Sequence, residues 1–230
     1  RVASPSISVI IPAFNEEHAI GKVLDEIPRA ISKVIVVDNG STDATAAVAE
    51  SRGATVVREP IRGYGQACLR GLSVLSATDI VVFLDGDYSD FPEEMPTLYE
   101  PIATGAADLV IGSRVLGQRE KGALLPQARF GNWLSTRLIR WLFGVCFTDL
   151  GPFRAIDYTA LKRLDMCDWD FGWTVEMQVK AARLRLRCME VPVRYRKRIG
   201  TSKISGTVSG SVRAGYKILW TIFRHMGYAN

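Results

Sequence analysis

The 230-residue sequence contains few of the residues from which zinc sites and disulfide frameworks are built. Its four cysteines include no C-x-x-C pair, and only two histidines could join them as metal ligands. This scarcity argues against a zinc protein and against a disulfide-stabilised secreted domain, and it indicates a reducing, cytoplasmic environment. No signal peptide is expected, and no apolar run approaches the ~18 residues of a membrane-spanning helix.

Glycine-rich phosphate-binding motifs are missing as well. No G-x-G-x-x-G follows the first predicted strand, and Arg62-Gly-Tyr-Gly65 lacks both the spacing and the Lys-Ser/Thr of a P-loop. These absences disfavour a dinucleotide-binding Rossmann protein and a P-loop nucleotidase. If the chain binds a phosphorylated ligand, we expect a metal ion to neutralise the phosphate charge.

Charge is distributed unevenly along the chain. Residues 1–111 carry 8 Lys/Arg and 16 Asp/Glu, a balance of −8, whereas residues 112–230 carry 21 and 8, a balance of +13. The acidic half could bind a metal, and the basic half could face phosphate or an anionic membrane. A merely solvated basic surface is the alternative. Nucleic acid is not expected, because the acidic half would repel a polyanion and the most basic stretch, Arg194–Lys203, has only Tyr195 for base stacking.

Short apolar runs alternate with amphipathic segments through the first half. The runs predict buried strands, and the amphipathic segments predict helices. Strands are expected at residues 7–11, 34–37, 54–57 and 80–84, and helices at 16–27, 43–52 and 66–76. This alternation predicts an α/β fold with a mostly parallel sheet flanked by helices. Ligands of such sheets bind beyond the carboxyl ends of the strands, which is where Glu16, Asp38 and Asp85 fall.

The fourth predicted strand ends in Asp85-Gly86-Asp87. Two carboxylates one residue apart can converge on one point, and hard oxygen ligands suit Mg²⁺ or Mn²⁺ while leaving places for water and phosphate oxygens. A polar turn is the alternative, since Asp and Gly are common in turns. The other acidic strand ends favour the metal site. Asp90 is expected to cap the helix that Pro92 begins.

Several motifs together resemble those of the inverting family 2 glycosyltransferases, which have the GT-A fold. In the first half these are IPAFNEE, VVDNGSTD, the D-x-D motif DGD and GSR. In the second half TDLGPFRAI and RIGTSKIS resemble polyprenyl-phosphate glycosyltransferases of the dolichyl-phosphate mannose synthase type. The resemblance covers the chain from Ile7 to Ser205. It implies a metal-dependent hexosyltransferase that moves a sugar from a UDP- or GDP-sugar to a polyprenyl phosphate.

Site residues follow from this resemblance. The donor nucleotide would be held by Pro12, Ala13, Phe14, Glu16 and Asp38. Asp87 would hold the metal on its diphosphate directly, with Asp85 in a supporting or ribose-side role. The family usually reads VDDGSTD, so Asn39 leaves Asp38 as the only carboxylate of that pair. Arg114 would lie at the acceptor phosphate, although a surface arginine is an equal alternative, and Arg129 and Ser202 are also expected to bind substrate. Arg198 and Lys203 would close over the phosphates.

Glu176 matches the family position of a catalytic base. A phosphate monoester, with a second pKa of about 6, is already a dianion at neutral pH and needs no base. Glu176 would then shape the pocket, whereas a sugar or glycan hydroxyl acceptor would require it as the base. That hydroxyl acceptor is the main alternative function. A non-catalytic membrane-associated binding module is disfavoured by the intact D-x-D motif. Asp149 and Arg154 are expected to form a structural ion pair.

Two basic, tryptophan-bearing helices are predicted in the second half, at 129–147 and 207–228. Such helices can lie in a membrane interface, although a core helix has nearly the same pattern as the first. A strand at 109–111, a helix at 169–184 and an edge strand at 191–195 complete the predicted elements. We expect a catalytic domain at 1–206, with a nucleotide-sugar half (1–111) and an acceptor half (112–206), then a C-terminal amphipathic helix (207–230). The protein would sit peripherally on the cytoplasmic face of a membrane. Sugar, nucleobase and oligomeric state are not predicted.

Overall fold

A computed structural model of the chain describes residues 4–200 and 208–226, with the backbone alone at 208–211. Within these residues, strands form one sheet and helices flank it. The strands are β1 (Ile7–Ala13), β2 (Lys33–Asp38), β3 (Thr55–Arg58), β4 (Ile80–Phe83), β5 (Leu109–Ser113), β6 (Arg154–Asp157) and β7 (Cys188–Pro192). The helices are α1 (Ile20–Asp25), α2 (Thr45–Ser51), α3 (Tyr64–Ser73), α4 (Met95–Ala103), α5 (Pro126–Phe143), α6 (Tyr158–Leu164), α7 (Trp173–Arg183) and α8 (Val208–Arg224).

The sheet has the strand order β3-β2-β1-β4-β6-β5-β7. Neighbouring strands are parallel except at β6, which lies antiparallel between β4 and β5. The predicted α/β class with a mostly parallel sheet is therefore confirmed. Because β1, β2 and β4 are parallel neighbours, their carboxyl ends meet at one edge, and the loops that follow them are brought together there.

Helices cover both faces of the sheet, which explains why the strands are continuous apolar runs. Val9 and Ile11 of β1 pack on the side of α1, α2 and α4, whereas Ile10 between them packs on the side of α3 and α5–α8. All three side chains are fully buried. The alternation of a strand thus supplies both hydrophobic cores from one run of residues.

Several boundaries differ from the predicted ones. Helix α1 begins later than expected, because the backbone N–H groups of Ala19 and Ile20 both donate to the carbonyl of Glu16 and form a turn there. Helix α5 begins and ends earlier, since Pro126 occupies its first turn and Gly144 ends it in the left-handed conformation, with φ +71°. Strand β7 lies at the sheet edge, as predicted, but spans residues 188–192.

The predicted Asp149–Arg154 ion pair is wrong. The buried guanidinium of Arg154 donates instead to the main-chain carbonyl oxygens of Gly151, at 3.0 Å and 2.6 Å, and of Thr174, at 2.9 Å. Burial lowers the pKa of Arg154 to about 10. Asp149 pairs with Arg114. Within the described residues, no helix is both long enough and apolar enough to cross a membrane.

Candidate active site

A polar pocket of about 390 Å³ lies at the carboxyl edge of the sheet, where β1 and β4 end. Its lining includes many of the residues predicted to bind the donor. They are Pro12, Ala13, Phe14, Glu16, Asp85, Asp87 and Arg198. Asp38 does not line this pocket, because the next residue, Asn39, forms the wall and the Asp38 carboxylate accepts a hydrogen bond from the backbone N–H of Ser41, at 2.9 Å.

The carboxylate of Asp87 is buried and fixed in orientation. Its Oδ1 accepts hydrogen bonds from the backbone N–H and the hydroxyl of Ser89, at 2.9 Å and 2.5 Å. Its Oδ2 lies 3.1 Å from Nη1 of Arg198. The backbone of the same segment is also tied down, since the N–H of Ile199 donates to the Asp87 carbonyl at 3.0 Å. One oxygen atom of Asp87 is therefore presented to a cation.

Asp85 lies between the polar pocket and a second pocket described below. The hydroxyl of Tyr64 donates a hydrogen bond to its Oδ1 at 3.0 Å. Burial, together with the nearby charge of Asp87, raises the pKa of Asp85 to about 7. A bound divalent cation would oppose this shift, because an adjacent positive charge favours the carboxylate form.

The donor set fits a metal ion that arrives with a nucleotide. No group of three or more His, Cys, Asp or Glu side chains in the described part of the chain is placed to hold a metal by itself. Mg²⁺ and Mn²⁺ commonly use one or two carboxylates and take their remaining ligands from phosphate and water. Asp87 and Asp85 supply that number, and the ion pair with Arg198 shows that the position favours positive charge.

Arg198 bridges two walls of the polar pocket. Its Nη2 donates to Oε1 of Glu16 at 2.7 Å, while Nη1 contacts Asp87. Its Nε is buried and makes no hydrogen bond within the described residues. Ser202 and Lys203, which were also predicted to act with Arg198, lie outside the described residues.

The far end of the polar pocket is formed by the loop at residues 62–65, which the sequence showed as glycine-rich but did not place in the site. The Arg62 guanidinium lies over the Phe14 ring, 3.1 Å from its centroid. Asn39 fixes this loop, because its Nδ2 donates to the carbonyls of Glu59 and Ile61, at 3.0 Å and 2.7 Å, and its Oδ1 accepts from the N–H of Gly63, at 3.0 Å. The amide of Asn39 is thus used to position the pocket wall.

Gly63 and Gly65 let this wall approach the segment that precedes α7. A Cβ at Gly63 would lie 2.2 Å from the carbonyl oxygen of Trp169, and one at Gly65 would lie 2.0 Å from that of Asp168. The approach brings Trp169, Asp170 and Phe171 into the pocket lining, which sequence reasoning missed. The loop Arg62-Gly-Tyr-Gly65 was visible as glycine-rich, but its partner lies about a hundred residues away, so no local signal named it.

Glu176 is not placed as a catalytic base, and this prediction is wrong. Its side chain is 1% exposed and lines neither pocket. The carboxylate accepts from the backbone N–H groups of Cys167 and Asp168, at 3.1 Å and 2.8 Å, and forms an ion pair with Lys180, at 2.8 Å. Glu176 therefore holds the turn that precedes α7.

A second, mostly apolar pocket of about 260 Å³ adjoins the first and shares Tyr64, Asp85 and Phe171 with it. The remaining wall comes from α5, α7, α8 and the loops near them. Arg114 also lines it, and its charge lowers the pKa of Asp85. Arg114 is oriented by a bidentate pair with Asp149, with Nε–Oδ2 2.8 Å and Nη2–Oδ1 2.7 Å. Burial acts to lower the pKa of Arg114, but Asp149 raises it above the ordinary value.

Two other predicted residues have different surroundings from those expected. Arg129 is exposed in the first turns of α5 and lines neither pocket. Asp90 is buried, and neither of its carboxyl oxygens makes a hydrogen bond within the part of the chain that the structure describes. The predicted helix cap at Asp90 is wrong, because Phe91 precedes the first helical turn and that turn has no side-chain cap. Burial and the charges of Asp85 and Asp87 raise the pKa of Asp90.

A D-x-D sequence beyond a central parallel strand, with a second pocket against it, is the arrangement expected of a GT-A glycosyltransferase. The sequence model described as Glycosyl transferase family 2 matches residues 8–165. The chain belongs to this family and is a glycosyltransferase. The predicted family, fold and enzyme class are thereby confirmed.

Relatives of the chain are named as glycosyltransferases. An uncharacterized glycosyltransferase from Mycobacterium tuberculosis is 36% identical over 215 residues, which cover 93% of this chain and 96% of that protein. An undecaprenyl-phosphate mannosyltransferase from Micrococcus luteus is 32% identical, and the match covers 89% of each chain. Among solved structures, glucosyl-3-phosphoglycerate synthase from M. tuberculosis, in complex with Mn²⁺, UDP-glucose and phosphoglyceric acid, matches with a TM-score of 0.78 and 25% identity. This match covers 98% of this chain and 81% of that chain.

Proposed function

We propose that the protein transfers a hexose from a nucleoside-diphosphate sugar to the phosphate of a polyprenyl phosphate, with Mg²⁺ or Mn²⁺, at the cytoplasmic surface of a membrane. One observation carries the proposal. A polar pocket with Asp87 and Arg198 adjoins an apolar pocket that has a cation, Arg114, in its wall. The first suits a diphosphate with a metal, and the second suits an anionic head group joined to an apolar tail.

The relatives support both halves of this proposal. The M. luteus relative is named for transfer of mannose to undecaprenyl phosphate. The M. tuberculosis synthase was crystallised with Mn²⁺ and a UDP-sugar. For this chain, we infer that Phe14, Asn39 and Arg62 surround the nucleobase. Asp87, helped by Asp85, would hold the metal on the diphosphate. Arg198, together with Ser202 and Lys203, would bind the phosphates.

In the proposed reaction, most of the rate acceleration would come from electrostatic stabilisation of the transition state. When bound, the metal would supply positive charge to the leaving diphosphate. Arg198 would add a second positive charge there, and Arg114 would orient the acceptor phosphate. A phosphate oxygen would attack the anomeric carbon from the face opposite the diphosphate, which inverts the configuration. No base is required for a phosphate dianion, in agreement with the structural use of Glu176.

Transfer to a hydroxyl is a second candidate, and Asp170 favours it. This residue lines the polar pocket, and burial together with the charge of Asp168 raises the pKa of its carboxyl. A hydroxyl acceptor needs a base near its oxygen, and Asp170 is better placed for that role than Glu176.

The surface formed by α5 and α8 supports contact with a membrane. We call it the aromatic surface, and it consists of exposed side chains on both helices: Phe130, Trp133, Trp141, Tyr216, Trp220 and Phe223. Arginines on the same helices, at positions 137, 140 and 224, supply positive charge. Aromatic rings together with basic side chains suit the interface of an anionic leaflet.

The product identifies the acceptor. The protein would be incubated with a labelled UDP- or GDP-sugar, Mn²⁺ and undecaprenyl phosphate in detergent. We expect label to enter the organic phase in an acid-labile form, and EDTA or Asp87→Asn to reduce the rate about a hundredfold or more, because each removes charge that stabilises the leaving group. Label that appears only in water-soluble glycans would support the hydroxyl alternative instead.

A further inference from the structure

Two glycines on neighbouring helices line the apolar pocket, Gly131 of α5 and Gly215 of α8. A Cβ atom added to either glycine would have no heavy atom within 4 Å, apart from its chain neighbours and the backbone of its own helix. Neither is among the glycines with positive φ. Neither the backbone conformation nor a close approach of another segment therefore requires glycine at these positions.

Glycine inside a helix is unfavourable compared with alanine or leucine, because it loses more backbone freedom on folding. Other glycines of this chain have an evident reason. A Cβ at Gly117, for example, would lie 1.9 Å from the carbonyl oxygen of Val193. At Gly131 and Gly215, the absence of a side chain leaves the volume of the pocket open.

The chemistry of the pocket indicates its occupant. Leu124, Ala128, Leu150, Pro152 and Ile218 contribute apolar wall. The side chain of Arg114 is 11% exposed and supplies positive charge on the side of Asp85. An anion with an apolar chain attached to it is complementary to this arrangement, whereas a polar sugar would leave its hydroxyl groups without partners against the apolar wall.

We propose that Gly131 and Gly215 keep open a passage for the isoprenoid chain next to the acceptor phosphate, and that they thereby determine which acceptors the enzyme uses. This inference rests on the proposed function and adds to it. The first isoprene units would lie between α5 and α8, and the rest of the chain would continue toward the aromatic surface on the same two helices. Affinity would then rise with chain length until the passage is filled, because each buried apolar group adds to binding.

The test uses substitutions that add side chains to the walls of the passage. Gly131→Leu and Gly215→Leu place an apolar side chain in the open volume, and Gly131→Ala places a smaller one. Thr159→Leu, on the exposed face of α6 and outside both pockets, is the control for adding leucine to a helix surface. Circular dichroism and thermal melting establish that each variant is folded. Binding of isopentenyl, geranyl and farnesyl phosphate is then measured by calorimetry without donor, and KM is measured for transfer to the same acceptors.

For the wild type and Thr159→Leu, we expect affinity to rise from isopentenyl to farnesyl phosphate. For Gly131→Leu and Gly215→Leu, we expect most of that rise to be lost, with farnesyl phosphate binding weakened about tenfold or more relative to isopentenyl phosphate. Gly131→Ala should show a smaller loss. If both leucine variants keep the chain-length dependence of the wild type, the inference is wrong even where transfer to polyprenyl phosphate is observed. If farnesyl phosphate binds as expected and is blocked by leucine but receives no sugar, the passage stands and the proposed function fails.

Discussion

Asn39 shows how the exchange of a single atom changes the wall of the polar pocket. An aspartate there, as in the more usual VDDGSTD motif, would face the carbonyl oxygens of Glu59 and Ile61, to which the Asn39 amide now donates. The chain therefore has an amide where its fold needs a donor. The motif showed the substitution, but only the structure shows which groups depend on it.

Asn39→Asp should destabilise the protein by about 1–3 kcal/mol, because two hydrogen bonds are lost and a carboxylate is placed against two carbonyls. Thermal or urea unfolding at pH 8 measures the change, and the KM for the sugar nucleotide should rise because the loop at residues 59–63 is loosened. Asn39→Ala removes the bonds without adding charge and should cost less at this pH. Equal stability of Asn39→Asp and wild type would show that this loop does not depend on the amide.

Asp85 makes the stability of the metal-free protein depend on pH. Its pKa is raised to about 7 by burial and by Asp87, compared with about 3.9 in an unfolded chain. Between these values the folded state holds a proton that the unfolded state has released. The free energy of unfolding should therefore fall as pH rises from about 4 to about 7, by about 1.4 kcal/mol for each unit of difference in pKa.

Urea unfolding of the wild type and of Asp85→Asn across this pH range measures the effect. The difference between the two proteins should change with pH in the stated direction, because the variant has no carboxyl to titrate at this position. Mn²⁺ with UDP should stabilise the wild type more at pH 8 than at pH 5. A difference that does not vary with pH would contradict the raised pKa.

The sequence predicted the site best where its residues follow strands. The lining of the polar pocket contains Phe14, Glu16, Asp85 and Asp87, because a parallel sheet brings its strand ends together. Side-chain partners were harder to predict. Glu176 matched a motif position, yet its carboxylate points into the turn at 167–168, and a linear pattern carries no information about that direction.

At the scale of elements, the segment after β7 places a cation on the predicted metal ligand. Arg198 lies 3.1 Å from Asp87 and also binds Glu16. Arg198→Gln should therefore bind Mn²⁺ alone on the order of tenfold more tightly, since loss of a charge-assisted contact of about 1.4 kcal/mol frees the carboxylate. The same change should weaken binding of Mn²⁺ together with UDP, where the arginine would contact phosphate.

Mn²⁺ titration followed by electron paramagnetic resonance, with and without UDP, separates these two effects. Arg194→Gln is the matched control, because Arg194 lies in the same segment but pairs with Glu93 and Glu94 on the surface. It should change neither measurement. Weaker binding of Mn²⁺ alone by Arg198→Gln would mean that the arginine assists the metal in the free protein rather than competing with it.

Elements with strong local patterns were predicted more accurately than those defined by distant partners. The apolar runs of β1, β2 and β4 correctly predicted three strands that lie side by side in the sheet. The last strand was expected at 191–195 but spans 188–192, because its extent is set by pairing with β5. The antiparallel insertion of β6 was not predicted at all, since strand direction within a sheet depends on topology and leaves no mark in a four-residue run.

At the scale of the whole molecule, the uneven charge and the aromatic surface together predict selective binding to anionic membranes. A variant with Trp141→Ala and Trp220→Ala should sediment with phosphatidylglycerol-containing vesicles about tenfold less well than the wild type, because two interfacial anchors are lost. About 0.5 M NaCl should weaken binding of the wild type, since it screens the basic residues. Vesicles of phosphatidylcholine alone should bind poorly.

Met189→Ala is the control for that experiment, because Met189 is an exposed apolar residue, 37% accessible, on β7 rather than on α5 or α8. It should leave vesicle binding unchanged. If the double tryptophan variant binds vesicles as the wild type does, the prediction that the aromatic surface contacts the membrane is wrong. The proposed nucleotide-sugar half and acceptor half differ in the ligand that each would bind. They are not separate structural units, since strands from both halves build one sheet.

The junction of the two pockets at Tyr64, Asp85 and Phe171 also bears on a side reaction. Water is the smallest nucleophile that could reach an activated sugar, and a transferase has to exclude it. Away from this junction, the apolar wall formed by Leu124, Ala128, Leu150, Pro152 and Ile218 offers a water molecule few polar groups to hold it in position for attack. If the acceptor is the proposed polyprenyl phosphate, the bound sugar nucleotide would therefore resist hydrolysis until that acceptor binds.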